Sequence, residues 1–340
     1  MILVDFSGLI FKNVFGITKS MELPLVDGKY IIDDAITPIK NFIINDIFDI
    51  QKQFNDNNIV ICIDDTYKGS WRAQIYKPYK SHRKVSRDDN PIPFDIIFNH
   101  VHEIIDAFDK FTPYKVIKVP TAEADDCILT LCETIRNEDI VIYSSDKDML
   151  QMQKYNNVRQ YSPLLKKYIT YKDKSETLNE WLVEHIVLGD NADEVPKIFS
   201  ETQFTPEFIK YLNDNQLNYT PSSYHALAVD DKLKIENNFN GSVWKTNRIG
   251  KKTVEKHIQQ GTLKDLIKSN ELYVKNFERN KKLILADYIP QSIKDQCLKQ
   301  YNTIKSDDMS LFIKYLEDNN MRSIQFNIPN FTPIAKLDLW

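Results

Sequence analysis

The sequence predicts an α/β protein, with a central, mostly parallel sheet flanked by helices and a helical C-terminal region. Three observations carry this. Short apolar runs alternate with helical stretches through the first 170 residues. Those runs are continuously apolar rather than alternating, as in strands buried on both faces. From about Glu176 the strand signal fades into polar, Asn-rich segments, and Glu271 to Asn319 reads as helices broken by Pro290.

The elements follow in order. Ile2-Leu-Val-Asp5 is a first short strand. Ile31 to Phe54 is apolar at helical spacing, and Pro38 could break it. Ile59-Val-Ile-Cys-Ile63 is a buried-strand run that ends in Asp64-Asp65. Pro91–Phe111 and Thr121–Arg136 read as helices, the second with Thr121 as N-cap. Tyr114–Val119 and Ile140–Ser144 are two more strands. This organisation predicts a core over residues 1–175, a helical region over 176–320 and a tail over 321–340. There is no internal repeat and no low-complexity block.

Composition narrows the class. With 27% charged and 42% hydrophobic residues, the 340-residue chain is neither globally disordered nor a membrane protein. No apolar run approaches the roughly 18 residues of a transmembrane helix. Met1-Ile-Leu-Val-Asp5 has no basic stretch and meets an acid at once, so it is not expected to be a signal peptide. Cys62, Cys127, Cys132 and Cys297 form no CxxC pair or zinc-like spacing, which points to buried thiols in a reducing, cytoplasmic setting. Glycine is scarce, at 8 residues. The net charge of −4 argues against nucleic acid only if charge is evenly spread, and it is not.

The acids gather where strands end. Asp5 closes the first strand and Asp64 follows the second. Glu123, Asp125 and Asp126 follow the third, and Asp146 and Asp148 the fourth. Asp190 and Asp193 come after a later helix. Strand ends of a parallel sheet share one edge, so these carboxylates converge. Glu123 and Asp126 are three apart and fall on one helix face. Singly, each acid has an ordinary reading as a cap or turn residue. Together they would repel without cations. An all-oxygen set without His or Cys suits two hard divalent ions, Mg²⁺ or Mn²⁺, the arrangement used for phosphodiester cleavage.

A basic segment lies between the second strand and the next helix. Tyr67 to Arg87 holds Lys68, Arg72, Lys77, Lys80, Arg83, Lys84 and Arg87 with no acid, interleaved with Tyr67, Trp71, Tyr76 and Tyr79. Cations for phosphate and rings for stacking suit single-stranded nucleic acid; a solvated loop is the plain alternative. A second patch, Trp244 to Lys256, carries Lys245, Arg248, Lys251 and Lys252 around Gly250. Gly250 could make a tight turn that presents amides to a phosphate, or the patch could be an ordinary basic helix start.

These residues resemble the flap endonuclease/5′-nuclease superfamily, and within it the RNase H branch of T-even bacteriophages. The matching stretches are Cys62-Ile-Asp64, Gly69-Ser-Trp-Arg72, Tyr79-Lys-Ser-His-Arg83, Glu123-Ala-Asp-Asp126, Ser144-Ser-Asp-Lys-Asp148, Tyr155 to Arg159 with Ser162-Pro163 and Lys166-Lys167, Gly189-Asp-Asn-Ala-Asp193, and Arg279 to Leu283 with Asp287 to Pro290. The resemblance implies a PIN-like nuclease core with a basic arch at 66–90, and a duplex-binding helix–three-turn–helix whose second hairpin is the 244–256 patch. It assigns Asp5, Asp64, Glu123, Asp125, Asp126, Asp146 and Asp148 to one metal, and Asp148, Asp190 and Asp193 to a second. Lys80 and Arg83 match arch residues on the scissile phosphate, and Tyr79 an arch aromatic.

One departure stands out. In relatives the Gly-Asp…Asp motif runs into Pro-Gly and a Gly-rich hairpin; here Asp193 is followed by Glu-Val-Pro-Lys197, and Ile249-Gly250 comes about fifty residues later. A monovalent ion at that hairpin is therefore not expected.

The implied activity is a two-Mg²⁺ 5′-3′ exonuclease or flap endonuclease acting as a monomer on DNA and RNA–DNA hybrids with 5′ ends or flaps. It would leave 5′-phosphates and remove RNA primers in phage replication, inside the host cytoplasm. Leu337, Leu339 and Trp340 suggest a tail for a replication clamp or single-stranded-DNA-binding protein, or a segment docked on the body. Two alternatives remain: a branched-DNA binding module, and a phosphatase like the haloacid dehalogenases, whose Asp-x-Asp resembles Asp146-Lys-Asp148. That family wants Thr or Val where this chain has Leu150.

Overall fold

The computed structural model describes residues 1–225, 227–245, 249–306, 308–321, 324, 327 and 328, without the side chains of 84, 85, 88 and 229. In chain order the first elements are β1 (Ile2–Asp5), α1 (Phe6–Ser20), β2 (Leu25–Val26), β3 (Lys29–Tyr30), α2 (Asp33–Phe54) and β4 (Ile59–Ile63). Next come α3 (Trp71–Ile75), α4 (His82–Asp88), α5 (Phe94–Phe111), β5 (Lys115–Lys118), α6 (Ala124–Thr134) and β6 (Ile140–Tyr143). A 3-10 turn (Lys147–Lys154), β7 (Val158–Ser162) and β8 (Lys167–Ile169) complete the strands. The remainder is helical: α7 (Leu178–Leu188), α8 (Pro206–Asp214), α9 (Pro221–His225), α10 (Val229–Asn237), α11 (Lys251–Gln259), α12 (Leu263–Lys268), α13 (Glu271–Ile284), α14 (Gln291–Tyr301) and α15 (Ser310–Asp318).

The chain folds as two compact units. One holds Met1–Trp71, His82–Asp173 and Ile289–Trp340; the other holds Arg72–Ser81 and Lys174–Tyr288. This differs from the linear division expected. The stretch 72–81 leaves the expected core, and the chain from Ile289 onward returns to it.

In the first unit six strands form one sheet in the order β5-β4-β1-β6-β7-β8. All neighbours are parallel except β7 and β8, which pair antiparallel. Side chains alternate across a strand. Ile2, Val4, Ile59, Ile61 and Ile63 therefore join one layer with α1, α2, α5 and α15. Leu3, Val60 and Cys62, equally buried, fall on the opposite face, where α6 packs. α14 packs on α6, and the Gln300 amide brackets Lys118 of β5, its oxygen accepting from the backbone N–H at 2.8 Å and its nitrogen donating to the C=O at 2.9 Å.

Three local differences have plain causes. Pro38 lies inside an unbroken α2, because Ile39, Ile43, Ile44, Ile47 and Phe48 are buried beyond it. At about 1.5–3 kcal/mol each, their burial outweighs the roughly 3 kcal/mol a helical proline costs. Thr121 does not cap α6; it has φ 66°, and Glu123 is the N-cap. α1, the β2–β3 pair and the β7–β8 hairpin lie outside the elements expected from the sequence. β7 escapes because its inward positions include Gln160 and Ser162, both 1% exposed.

Among the described residues the second unit has three small cores. Val187, Ile198, Phe199, Val254, Leu263, Ile267 and Tyr273 form one. Tyr79, Ile186, Val195, Leu283 and Ile284 form another. The third is aromatic: Phe204, Phe208 and Tyr224 pack with Tyr211, Tyr219, Phe239 and Trp244. It organises most of the stretch between Asp193 and Ile249, the fifty or so residues that separate the two motifs in this chain. Gly250 is the N-cap of α11 with extended backbone (φ −112°, ψ −179°), so it makes no tight turn.

Candidate active site

Register builds one acidic edge in the first unit. Asp5 of β1 aligns with Cys62 of β4, and Val4 aligns with Tyr143 of β6. The carboxyl ends of these parallel strands therefore finish together, and Asp5, Asp64 and the Ser144–Asp148 turn leave from the same edge.

Asp5, Asp64 and Asp146 are oriented by named donors. Asp5 caps α1, accepting from the Gly8 amide at 3.4 Å and from the Ser144 hydroxyl at 2.8 Å. Asp64 accepts from the Ser7 hydroxyl at 2.7 Å and the Ala124 amide at 2.7 Å, which ties β4 to the start of α6. Asp146 accepts from the Asp148 amide at 2.9 Å. Glu123 is buried at the head of α6, and Asp125 is half-buried in its first turn.

Asp126 has a different setting. It is fully buried, and its Oδ2 accepts from the Trp71 indole N–H and from the Glu123 amide, both at 2.9 Å. The Glu123–Asp126 spacing read as one helix face is a reciprocal cap, with Glu123 just outside the helix. Trp71→Phe, which keeps the ring but removes its N–H, is expected to lower stability by about 1–3 kcal/mol in urea unfolding.

The donor set fits a hard divalent ion. The groups holding Asp64 are a hydroxyl and an amide, which orient its charge without cancelling it. A carboxylate has about four lone-pair sites, so such bonds leave capacity for coordination. No thiolate competes: burial, with smaller contributions from Cys297 and Asp5, pushes the Cys62 thiol far up. The His102 pKa is lowered, first by burial and then by Lys118. All four cysteines are buried. The native protein should resist a thiol reagent at pH 8, with all four reacting in denaturant; absorbance of the released thiolate measures this.

The second unit carries its own acids. Asp190 and Val195 exchange backbone hydrogen bonds at 2.8 and 2.7 Å, closing a tight loop, and the Asp190 carboxylate accepts from the Ala192 amide at 2.8 Å. Asp193 receives the Tyr79 hydroxyl at 3.2 Å and the Lys80 ammonium at 3.4 Å. The Lys80 amide also donates to the Asp193 carbonyl at 3.1 Å, and Lys80 has φ 54°. Ser81 donates to Glu194 at 3.0 Å.

The structure thus separates the residues of the basic segment. Trp71, Arg72 and Tyr79 are buried at 6, 2 and 5% exposure, so they do not present open stacking or phosphate surfaces. Arg72 donates to the Leu283 carbonyl at 2.8 Å. Lys68 and Arg83 are exposed, and Tyr67 is 97% exposed. In the other patch, Lys245 and Lys252 are exposed, and Lys251 pairs with Glu184 at 2.7 Å. The Lys84 side chain, Arg248 and the tail residues Leu337, Leu339 and Trp340 lie outside the described residues. Ser7, Ser144 and Gln160 were not singled out from the sequence; only the doublet Ser144-Ser145 before Asp146 hinted at them. No helix among the described residues is long and apolar enough to cross a membrane.

Comparison with known proteins places the chain in a family. The family 5′-3′ exonuclease, N-terminal resolvase-like domain, matches residues 1–184. Ribonuclease H of Enterobacteria phage T4 is 25% identical over 302 residues, covering 87% of each chain. The fold is similar to a bacteriophage T5 protein co-crystallised with metal ions, at TM-score 0.56 and 14% identity over 88% of this chain and 97% of that one. It is also similar to a T5 flap endonuclease in a pseudo-enzyme–product complex with DNA and metal ions, at TM-score 0.52 and 12% identity over 89% and 99%. The family match spans every strand of the sheet and every carboxylate on its edge, and the chain therefore belongs to the 5′-3′ exonuclease family and is a 5′-nuclease.

Proposed function

We propose that the chain hydrolyses phosphodiesters at 5′ ends and flaps of DNA and RNA–DNA duplexes, using two Mg²⁺ ions that Mn²⁺ can replace, and leaves 5′-phosphate products. The observation that carries this is the convergence of Asp5, Asp64 and Asp146 on one strand edge, held by neutral donors. Asp5, Asp64, Glu123, Asp125, Asp126, Asp146 and Asp148 would serve one ion; Asp148, Asp190 and Asp193 would reach the other. For Asp126 this applies to the carboxylate oxygen other than the one that caps α6. When bound, such ions supply Lewis acidity and a nucleophile at neutral pH.

The protein's own part is positioning and charge. Lys80 and Arg83 would neutralise charge on the scissile phosphate. The Lys80 ammonium lies 3.4 Å from Asp193, so its charge is held close to one of the acids. Lys68, Lys84, Lys245, Arg248, Lys251 and Lys252 would follow the phosphate backbone, with α11, opened by Gly250, at the duplex. Trp71, Arg72 and Tyr79 would support the basic segment from inside.

The phage relative's name, ribonuclease H, supports removal of RNA primers during phage replication. The DNA complex of the T5 flap endonuclease supports a DNA substrate. The C-terminal sequence Lys336-Leu-Asp-Leu-Trp340 would recruit a replication clamp or single-stranded-DNA-binding protein. Deleting Asp338–Trp340 would then spare cleavage and abolish clamp pulldown.

The direct test is Mg²⁺-dependent cleavage of a 5′-labelled flap and of an RNA-primed duplex. Short oligonucleotides bearing 5′-phosphate are expected; binding without cleavage would overturn the reading. Lys80→Ala is expected to lower kcat about a hundredfold with KM little changed.

A further inference from the structure

β7 should read as a buried strand, yet two of its three inward positions are polar. Val158 is 5% exposed, and Gln160 and Ser162 are each 1% exposed. Burying an amide and a hydroxyl in a sheet costs free energy unless they are hydrogen-bonded, so an apolar residue is the default at such positions. Their partners explain the exception. The Gln160 side-chain nitrogen donates to the Ser144 carbonyl at 2.9 Å and to the Asp146 carbonyl at 2.6 Å. The Ser162 hydroxyl lies 2.8 Å from the Ser145 hydroxyl. Every residue of the 144–146 turn is thus gripped from β7.

The turn passes this grip to the acidic edge. Ser144 donates its hydroxyl to Asp5 at 2.8 Å and accepts from the Asp146 amide at 3.1 Å. Shifting the turn would move Ser144 and Asp146 together, and with them the donor that orients Asp5. The Gln160 side-chain oxygen meets no donor among the described residues. Only the donor half of this amide is used, and two carbonyl acceptors dictate which atom is nitrogen.

We infer that Gln160 and Ser162 are positioning residues that set the metal affinity of the Asp5–Asp146 edge through the Ser144–Asp146 turn. The inference rests on the reading that Asp146 holds metal. Both side chains are buried, so their loss should act on metal binding and leave substrate binding alone. Groups that orient metal carboxylates typically change affinity about 10–100-fold when removed.

The test is titration of the full chain with Mn²⁺ by calorimetry, alongside kcat and KM for a 5′-flap DNA at several Mg²⁺ concentrations. Gln160→Met keeps the length and removes both donors. It is expected to weaken Mn²⁺ binding at least about tenfold, to regain most of its kcat at high Mg²⁺, and to keep the wild-type KM for DNA. Ser162→Ala and Ser145→Ala should each give a smaller loss, and the double variant should lose less than the sum of the two, because they share one bond while each also gives up its own backbone amide, Leu165 or Leu164. These two conserve the fold should Gln160→Met not. Wild-type Mn²⁺ affinity in Gln160→Met and Ser162→Ala would overturn the inference. Asp146→Asn is the reference. If it weakens Mn²⁺ binding and the β7 variants do not, only the inference falls; if it also binds as wild type, the metal reading of Asp146 fails with it.

Discussion

Asp146→Asn is expected to lower single-turnover cleavage of a 5′-flap at saturating Mg²⁺ by at least about a thousandfold, some 4 kcal/mol of transition-state stabilisation. The magnitude follows from what the side chain supplies. Asp146 follows the end of β6, beside Asp5 on β1, with Asp64 one strand further along the same edge. Asparagine removes one negative charge from that edge while keeping size and one acceptor oxygen. That oxygen can still receive the Asp148 amide, now at 2.9 Å, so the turn should survive. Stability should therefore stay close to wild type, or rise slightly as repulsion among the acids falls. The pair of measurements is what discriminates: thermal melting unchanged and cleavage lost. Near-wild-type cleavage at any Mg²⁺ concentration would mean that Asp146 holds no catalytic ion.

Gly189→Ala is expected to cost about 3 kcal/mol or more of stability, read as a lower urea midpoint. Gly189 ends α7 with φ 65° and ψ −167°, a backbone conformation that side-chain-bearing residues rarely adopt. An added methyl would meet the Val195 carbonyl oxygen at 2.2 Å and the Pro196 carbonyl oxygen at 2.7 Å. Neither can retreat cheaply. Val195 is bonded to Asp190 in both directions, and the Pro196 carbonyl accepts from Asn280 at 2.8 Å. Gly261→Ala is the control: φ is 68°, but no atom lies within 4 Å of the added methyl. It should cost only about 1 kcal/mol. A cost for Gly189→Ala no greater than the control would show that the loop gives way.

Much of the chemistry was legible because it depends on order along the chain. Asp5, Asp64 and Asp146 stand where apolar runs stop, and parallel strands align their ends. The strands at 2–5, 59–63 and 140–143 were readable for the same reason. β7 was not, since Gln160 and Ser162 replace apolar residues at inward positions for the sake of the 144–146 turn. The rings of the basic segment misled in a different way. Trp71 and Tyr79 look like stacking platforms in sequence, yet each is buried with its polar tip on an acid, Asp126 or Asp193. Amphipathic rings serve equally well inside and outside, and local sequence does not say which.

Net charge illustrates the same division. At −4 the chain as a whole has the wrong sign for nucleic acid, but nine of its acids belong to the proposed metal sites, and the rest of the chain sums to +5. By itself the sequence determined the α/β class, the acidic edge and the basic segments, because periodicity and strand ends are local properties. Tertiary structure decided that Asp126 receives the Trp71 indole N–H, that Tyr79 and Lys80 meet Asp193, and that Gln160 grips the Asp146 turn. Each of those contacts joins residues 14 to 114 positions apart, and only packing brings such partners within hydrogen-bond or ion-pair reach.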